Sequence, residues 1–303
     1  MENSYLEQAL QTGAFPQLRT DLLVLAQLFR SYCATDPRDK IYGILGLASA
    51  LETDRLSSQI DADYDLDPNE LFLRIARLVT SGPDGLRLLR NVDNSSEQSS
   101  NLPSWVPDWS RPLKTRPLEE LCGPEFHFSS QRPIIMNPPS PDILKIAGKR
   151  IDTVAAVGEV LEDSGQRGLE IWGSWITLGS KFGFTPPTHF NWGAFALPQD
   201  YSGWLYPEKG VDYHQNKIPN HCFEICSGRR YLLSEQRRSG LVPAGARRGD
   251  EIVLFPGVRL PLVLSKSDSD NSFRVVGECY LDRVILDNLM KEKNYKRRVY
   301  CLK

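Results

Sequence analysis

"GLVPAGARRGDEIVLFPGVRLPLVL", residues 240–264, decides the fold class. Its apolar runs are short, and the residues that interrupt them, Gly249–Asp250 and Pro256–Gly257, favour turns. Short apolar runs bounded by such residues read as strands. The pattern extends both ways, from "RRYLLSE" at 229 through "GDEIVLF" and "LPLVLSK" to "FRVVGECYL", which follows a turn at Asp268–Asn271. Residues 229–282 therefore predict an antiparallel region, a small barrel or a twisted sheet.

Working outward, "DILKIAGKRIDTVAAVGEV" (142–160) alternates apolar and polar residues and predicts two strands around a Gly148 turn. "QRGLEIWGSWITLGSKFG" (166–183) predicts a helix, weakened by Gly173 and Gly179. Nearer the start, the leucines of 17–32 recur at helical spacing. Two further helices open with the same Asp-Pro device. In "CATDPRDKIYGILGLAS" (33–49) Asp36 is the N-cap and Pro37 the first helical residue, so 37–48 buries Ile41, Ile44, Leu45 and Ala48. In "LDPNELFLRIARLVTSG" (66–82) Asp67 caps, Glu70 takes the capping-box position, and Leu71, Ile75, Leu78 and Val79 line the buried side. "NVDNSSEQSSN" (91–101) reads as an exposed loop, and the proline-rich "LPSWVPDWSRP" after it carries Trp105 and Trp109. The expectation is an α+β fold, a helical part (1–110) packed on a C-terminal antiparallel β-sheet or small barrel (111–303), the two forming one unit.

With 41% apolar residues, a chain of 303 can bury a substantial core. A formal net charge of -2 gives no electrostatic basis for binding nucleic acid or an anionic membrane. The basic tail "KEKNYKRRVYCLK" (291–303) reads as a solvated terminal segment. No window approaches the roughly 18 apolar residues of a membrane span, and the N-terminus lacks the pattern of a signal peptide. Six scattered cysteines suit reduced thiols, so a cytoplasmic protein is expected.

Conventional catalytic patterns are missing. The chain has no Walker loop, GxGxxG, HExxH, paired CxxC or GxSxG. "HCFEIC" (221–226) is a single, partnerless spacing, better read as buried cysteines than as a metal site, and no metal or cofactor is expected. What stands out is a run of eleven aromatic residues between 170 and 214, interleaved with His189 and His214. Such side chains either cover the sheet as core or line a pocket for an apolar ligand.

Several stretches together resemble the fungal heterokaryon-incompatibility (HET) domain proteins. "TDPRDKIYGILGLA" looks like the run that closes the HET domain, and "DADYDLDPNELFLRIARLV" the segment that follows it. "LPSWVPDWS" resembles the family's Trp-rich motif, and "GLVPAGARRGDEIVLFPGVRLPLVL" with "FRVVGECYLD" its C-terminal signature. Because the DPRDK run here begins at Asp36, the resemblance implies that about the first half of the HET domain is absent. Asp36 to Lys40 then reads as a joint of the retained scaffold.

Two functions follow from the resemblance. Short HET-like chains of fungal specialised metabolism imply an enzyme without cofactor or metal, a Diels–Alderase that folds an apolar diterpenoid into a norbornene by preorganisation and hydrogen bonding. On that reading His189, Tyr201, Tyr206 and His214 are the candidate donors, and Trp172, Trp175, Trp192 and Trp204 the walls. Arg38 and Lys40 would hold a substrate carboxylate. The alternative is a non-enzymatic interaction or regulatory protein of fungal self/non-self recognition. An enclosed apolar cavity distinguishes the first from the second.

Overall fold

The computed structural model describes residues 22–50, 57–82, 85–94, 101–115, 117–118, 133–136, 140–184, 220–281 and 297–303. The architecture is α+β, with helices early in the chain and a mostly antiparallel mixed sheet later. Two compact units divide the chain, residues 1–71 with 109–112, and residues 72–108 with 113–303.

The first unit holds α1 (Leu22–Leu28) and α2 (Asp39–Ala50), a short 3-10 turn at Ser57–Gln59, and the start of α3 (Pro68–Thr80). Helix α1 buries Leu22, Leu23, Leu25 and Ala26. The second Asp-Pro start behaves as expected, with α3 opening at Pro68, whereas α2 opens at Asp39, two residues past the Pro37 that the sequence predicted. Asp36 Oδ1 accepts the Arg38 N–H at 2.9 Å, and Asp67 Oδ1 accepts those of Asn69 and Glu70 at 2.9 and 3.4 Å. Asp67 thereby takes N–H groups that have no partner inside α3, while the Asp36 bond closes the turn ahead of α2. Ile41, Ile44 and Ala48 are buried as the spacing requires, and so are Leu71, Ile75 and Val79, while Leu45 and Leu78 of the expected faces are only half-buried.

The second unit is built on β2 (Leu144–Val160), which is one strand of 17 residues where the sequence predicted two. Gly148 is not at a turn. A Cβ there would lie 2.5 Å from the Phe255 ring, so the glycine's role is to let that ring approach the strand backbone. Along its length β2 pairs with β1 (Ile135–Met136), β9 (Arg298–Leu302), β5 (Glu251–Leu254) and β3 (Arg229–Ser234), each antiparallel. Strand β5 pairs with β6 (Leu262–Lys266), and β6 with β7 (Ser272–Glu278). Past Cys279 the chain enters β8 (Tyr280–Leu281), which pairs with β4 (Ser239–Pro243), and β4 pairs with β3. Strand β7 also pairs with β9, in parallel, so β2, β5, β6, β7 and β9 close a ring, the barrel alternative of the expected pair.

Inside this unit the core gathers Ile151, Val154, Trp175, Tyr231, Leu241, Ile252, Leu254 and Val276, all at most 4% exposed. Helix α4 (Gln166–Phe182) contributes Ile171, Trp172 and Trp175 to the buried cluster, and the short α5 (Asn220–Cys226) contributes Cys222, Ile225 and Cys226. A buried carboxylate fixes the β3–β4 turn to β2. Asp152 Oδ2 accepts from Ser234 Oγ at 2.7 Å and Arg238 Nη1 at 3.1 Å, while its Oδ1 accepts the N–H of Gln236 at 3.1 Å. A buried charge is tolerated when it is paired and hydrogen-bonded in this way.

Two expectations need correction. The C-terminal end is not wholly a solvated segment, because Tyr300 and Leu302 of β9 are fully buried. The basic residues around them hid a strand with one apolar face. The loop expected at 91–101 begins with buried Asn91 and Val92, and Asn94 Nδ2 donates to the carbonyls of Ser104 and Val275 at 2.8 and 2.7 Å. Its polar side chains are structural where the described residues end at 94.

Candidate functional site

Three groups of residues are candidates for a functional site. The first is the charged start of α2. Arg38 lies against Asp36, with Nη2 to Oδ2 at 2.7 Å, and its Nη1 donates to the carbonyls of Tyr64 and, at 2.9 Å, Leu66. Its guanidinium also sits 5.3 Å from the Tyr64 ring centroid. The Tyr64 hydroxyl donates to Asp39 Oδ1 at 2.6 Å, and Tyr42 Oη donates to the Asp63 carbonyl at 2.9 Å. Lys40 Nζ donates to the carbonyls of Arg30, at 2.9 Å, and Tyr32.

The electrostatics follow the contacts. The hydrogen bond from Arg38 holds the Asp36 carboxyl below the usual carboxylate range. Burial lowers the Lys40 ammonium, and the bond to Asp39 raises the Tyr64 hydroxyl. Arg38 and Lys40 thus tie α2 to the 63–66 segment and to the end of α1, spending their donors on backbone carbonyls. That arrangement is the one expected of a joint.

The aromatic group comes second. Trp172 and Trp175 are the named wall residues among the described ones, and both are buried, at 7% and 0% exposure. Trp175 stacks on Tyr231 with centroids 6.1 Å apart, and its Nε1 donates to the Glu159 carbonyl at 3.2 Å. Gly158 makes this possible, since a Cβ there would lie 2.5 Å from the indole nitrogen. Trp175 is therefore enclosed by protein, its ring stacked and its N–H satisfied. His189, Trp192, Tyr201, Trp204, Tyr206 and His214 lie outside the described residues.

The third group surrounds a small cleft in the barrel unit, lined by Arg90, Asp93, Thr115, Arg229, Pro243 and Glu278 among others. It holds about 20 Å³ of free space, room for about one water rather than a terpenoid. Its charged walls are engaged in the fold. Arg229 Nη1 donates to the Ile225 carbonyl at 2.6 Å, and Glu278 Oε2 accepts the Leu118 N–H at 2.7 Å.

Among the described residues no group of three or more His, Cys, Asp or Glu is placed to hold a metal ion. Cys222 and Cys226 are buried, and burial pushes the Cys222 thiol up to about 12. A thiol so protonated is neither a ready nucleophile nor a ready ligand. No helix among the described residues is long and apolar enough to cross a membrane.

Sequence reasoning missed one constellation of the barrel. Glu251 accepts from Arg298 Nη1 at 3.0 Å and from Tyr300 Oη at 3.2 Å, and the Tyr300 ring meets Phe255 and Phe273 edge-on at 5.5 and 5.0 Å. Burial, and then the Glu251 charge, raises the Tyr300 hydroxyl above its ordinary range. The signal was the Arg-x-Tyr-x-Leu period of "RVYCL", a strand-like alternation inside a basic run.

The described residues thus form a helical unit and a unit built on a β-barrel. Comparison with known proteins agrees with that architecture. Residues 211–302 match the family model described as the Het-6 beta-barrel domain. The chain is also similar to the heterokaryon incompatibility protein 6, OR allele, of Neurospora crassa, with 28% identity over 337 residues that cover 84% of this chain and 49% of the relative. This chain therefore spans about half the length of the curated relative it matches. No solved structure matches.

Proposed function

We propose that this chain is a non-enzymatic interaction or regulatory module related to heterokaryon incompatibility proteins, acting by binding a macromolecular partner in fungal self/non-self recognition. The observation that carries the reading is the packing of the described wall residues: Trp175 of α4 stacks on Tyr231 of β3, both 0% exposed, where a small-molecule enzyme needs such rings to face a hollow. The resemblance to a protein named for heterokaryon incompatibility supports the same reading. Arg38 and Lys40, the residues offered for a substrate carboxylate, already serve backbone carbonyls and Asp36.

The test is genetic and direct. The chain is expressed in one of two otherwise compatible fungal strains, and growth of the fused heterokaryon is scored. Arrested or barraged growth that depends on the partner strain's genotype supports the module. Unaltered growth against a panel of strains, together with acceleration of a diterpenoid cycloaddition by the purified chain, would replace it with the enzyme.

A further inference from the structure

The slot that receives β9 has the anatomy of a peptide-binding groove that the chain fills with its own end. Strand β9 is not paired with its sequence neighbour. It lies between the first half of β2, antiparallel over Leu144–Gly148, and the start of β7, parallel at Ser272 and Phe273. One face of the strand presents Arg298, Tyr300 and Leu302 to groups contributed by other elements. Glu251 of β5 takes both the guanidinium and the phenol, Phe255 and Phe273 flank the Tyr300 ring, and the Arg298 guanidinium lies 4.9 Å from the Phe273 centroid. The end is held as well, with the Lys303 N–H on the Phe273 carbonyl at 2.9 Å and Lys303 Nζ on Asp270 at 3.1 Å. Main-chain pairing on both edges gives affinity, and pockets for alternate side chains give selectivity, which is the logic of strand addition.

We infer that this slot is an exchangeable strand-binding site, and that its occupant in trans is residues 297–303 of a second copy of this chain. The sequence that fits the slot is known from the structure itself, and every copy carries it. Contacts made in trans are the same as those made in cis, so exchange is governed by connector and concentration rather than by new complementarity. The stretch between β8 and β9, residues 282–297, reaches up to about 50 Å when extended, enough to cross to a neighbour. The inference does not require the recognition role proposed above, since an enzyme on the same barrel would exchange the same strand.

The register offers a direct test, because Lys145 of β2 lies across from Cys301 of β9. One tagged full-length copy carries Lys145→Cys and Cys301→Ser; a second, differently tagged copy keeps Cys301. The two are mixed, oxidised and digested. The inference expects a covalent heterodimer containing the 145–301 linked peptide, cut about fivefold by excess free peptide 297–303 and unaffected by the same peptide with Tyr300→Ala. Absence of that linkage between copies, while a single chain bearing Lys145→Cys and its own Cys301 closes within itself, overturns the inference. Should that control stay open, fluorescence anisotropy of labelled 297–303 peptide on the wild-type chain decides. Saturable binding lost with Tyr300→Ala supports the exchangeable slot, and no binding overturns it.

Discussion

Among the described residues arginine, carboxylate and tyrosine meet in each compact unit, and the two meetings differ in depth. In the helical unit Arg38 joins Asp36 at 2.7 Å beneath the ring of Tyr64, which is 52% exposed. In the barrel Arg298 joins Glu251 at 3.0 Å beside the ring of Tyr300, which is 0% exposed. The chemistry is shared, but the tyrosine is solvated in one case and enclosed in the other. Ion pairs near water contribute little, whereas a buried aromatic ring contributes through the area it removes from water and the cavity its loss would leave. Depth, not the set of partners, ranks the two clusters.

The largest consequence is at Tyr300. Tyr300→Ala should cost about 3–5 kcal/mol of unfolding free energy by denaturant titration, while Tyr64→Ala leaves the urea midpoint close to wild type. Equal losses would break the comparison. Next comes Asp152→Ala, which leaves Ser234 and Arg238 facing an empty position inside the barrel unit. Since Arg238 is partly exposed, a loss of about 2–3 kcal/mol is expected rather than the full cost of breaking a wholly buried pair.

Gly148→Ala sharpens the barrel side further. Its methyl would meet the Phe255 ring that packs on Tyr300, so about 1–2 kcal/mol should be lost through overpacking. Gly46→Ala in α2, where nothing lies within 4 Å of the added carbon, should lose nothing measurable.

The smallest effect is the pH dependence of the helical clamp. Asp36 is depressed by Arg38, so its contribution is present above the unfolded carboxylate value and is lost as pH falls through the folded one. A difference in melting temperature between wild type and Arg38→Ala should therefore persist at neutral pH and close on acidification below about 4. A difference that grows with acid would show that Asp36 is not the partner that matters.

Much of this was legible in the sequence, and the reasons are local. Asp67 and Pro68 mark a helix start, and Asp36 and Pro37 the turn just ahead of one, because capping and turns need only residues adjacent in sequence. The turns at Gly249 and Gly257 separate strands for the same reason, as their positive φ values of 92° and 86° suit glycine. What was hidden depends on distant partners. Gly148 looked like a turn because Phe255, far along the chain, is what requires a glycine there. Strand β9 looked like a solvated tail because its charges are adjacent in sequence while the groups that receive Arg298 and Tyr300 come from β5 and β7. Strand β4 escaped notice because Ser239–Pro243 is buried throughout and shows no alternation. Of the candidate site, Arg38, Lys40, Trp172 and Trp175 are held by the fold, and the remaining named residues fall outside the described ones.

Both clusters join elements of the fold, and in the barrel Tyr300, Phe255 and Phe273 pack ring against ring, each at most 1% exposed. The most direct measurement is cyclisation of a cyclopentadiene-bearing diterpenoid aldehyde, followed by rate and isomer ratio with and without the purified chain. The proposed binding module predicts the same rate and the same ratio in both. Acceleration by the chain, with one isomer enriched, would contradict it.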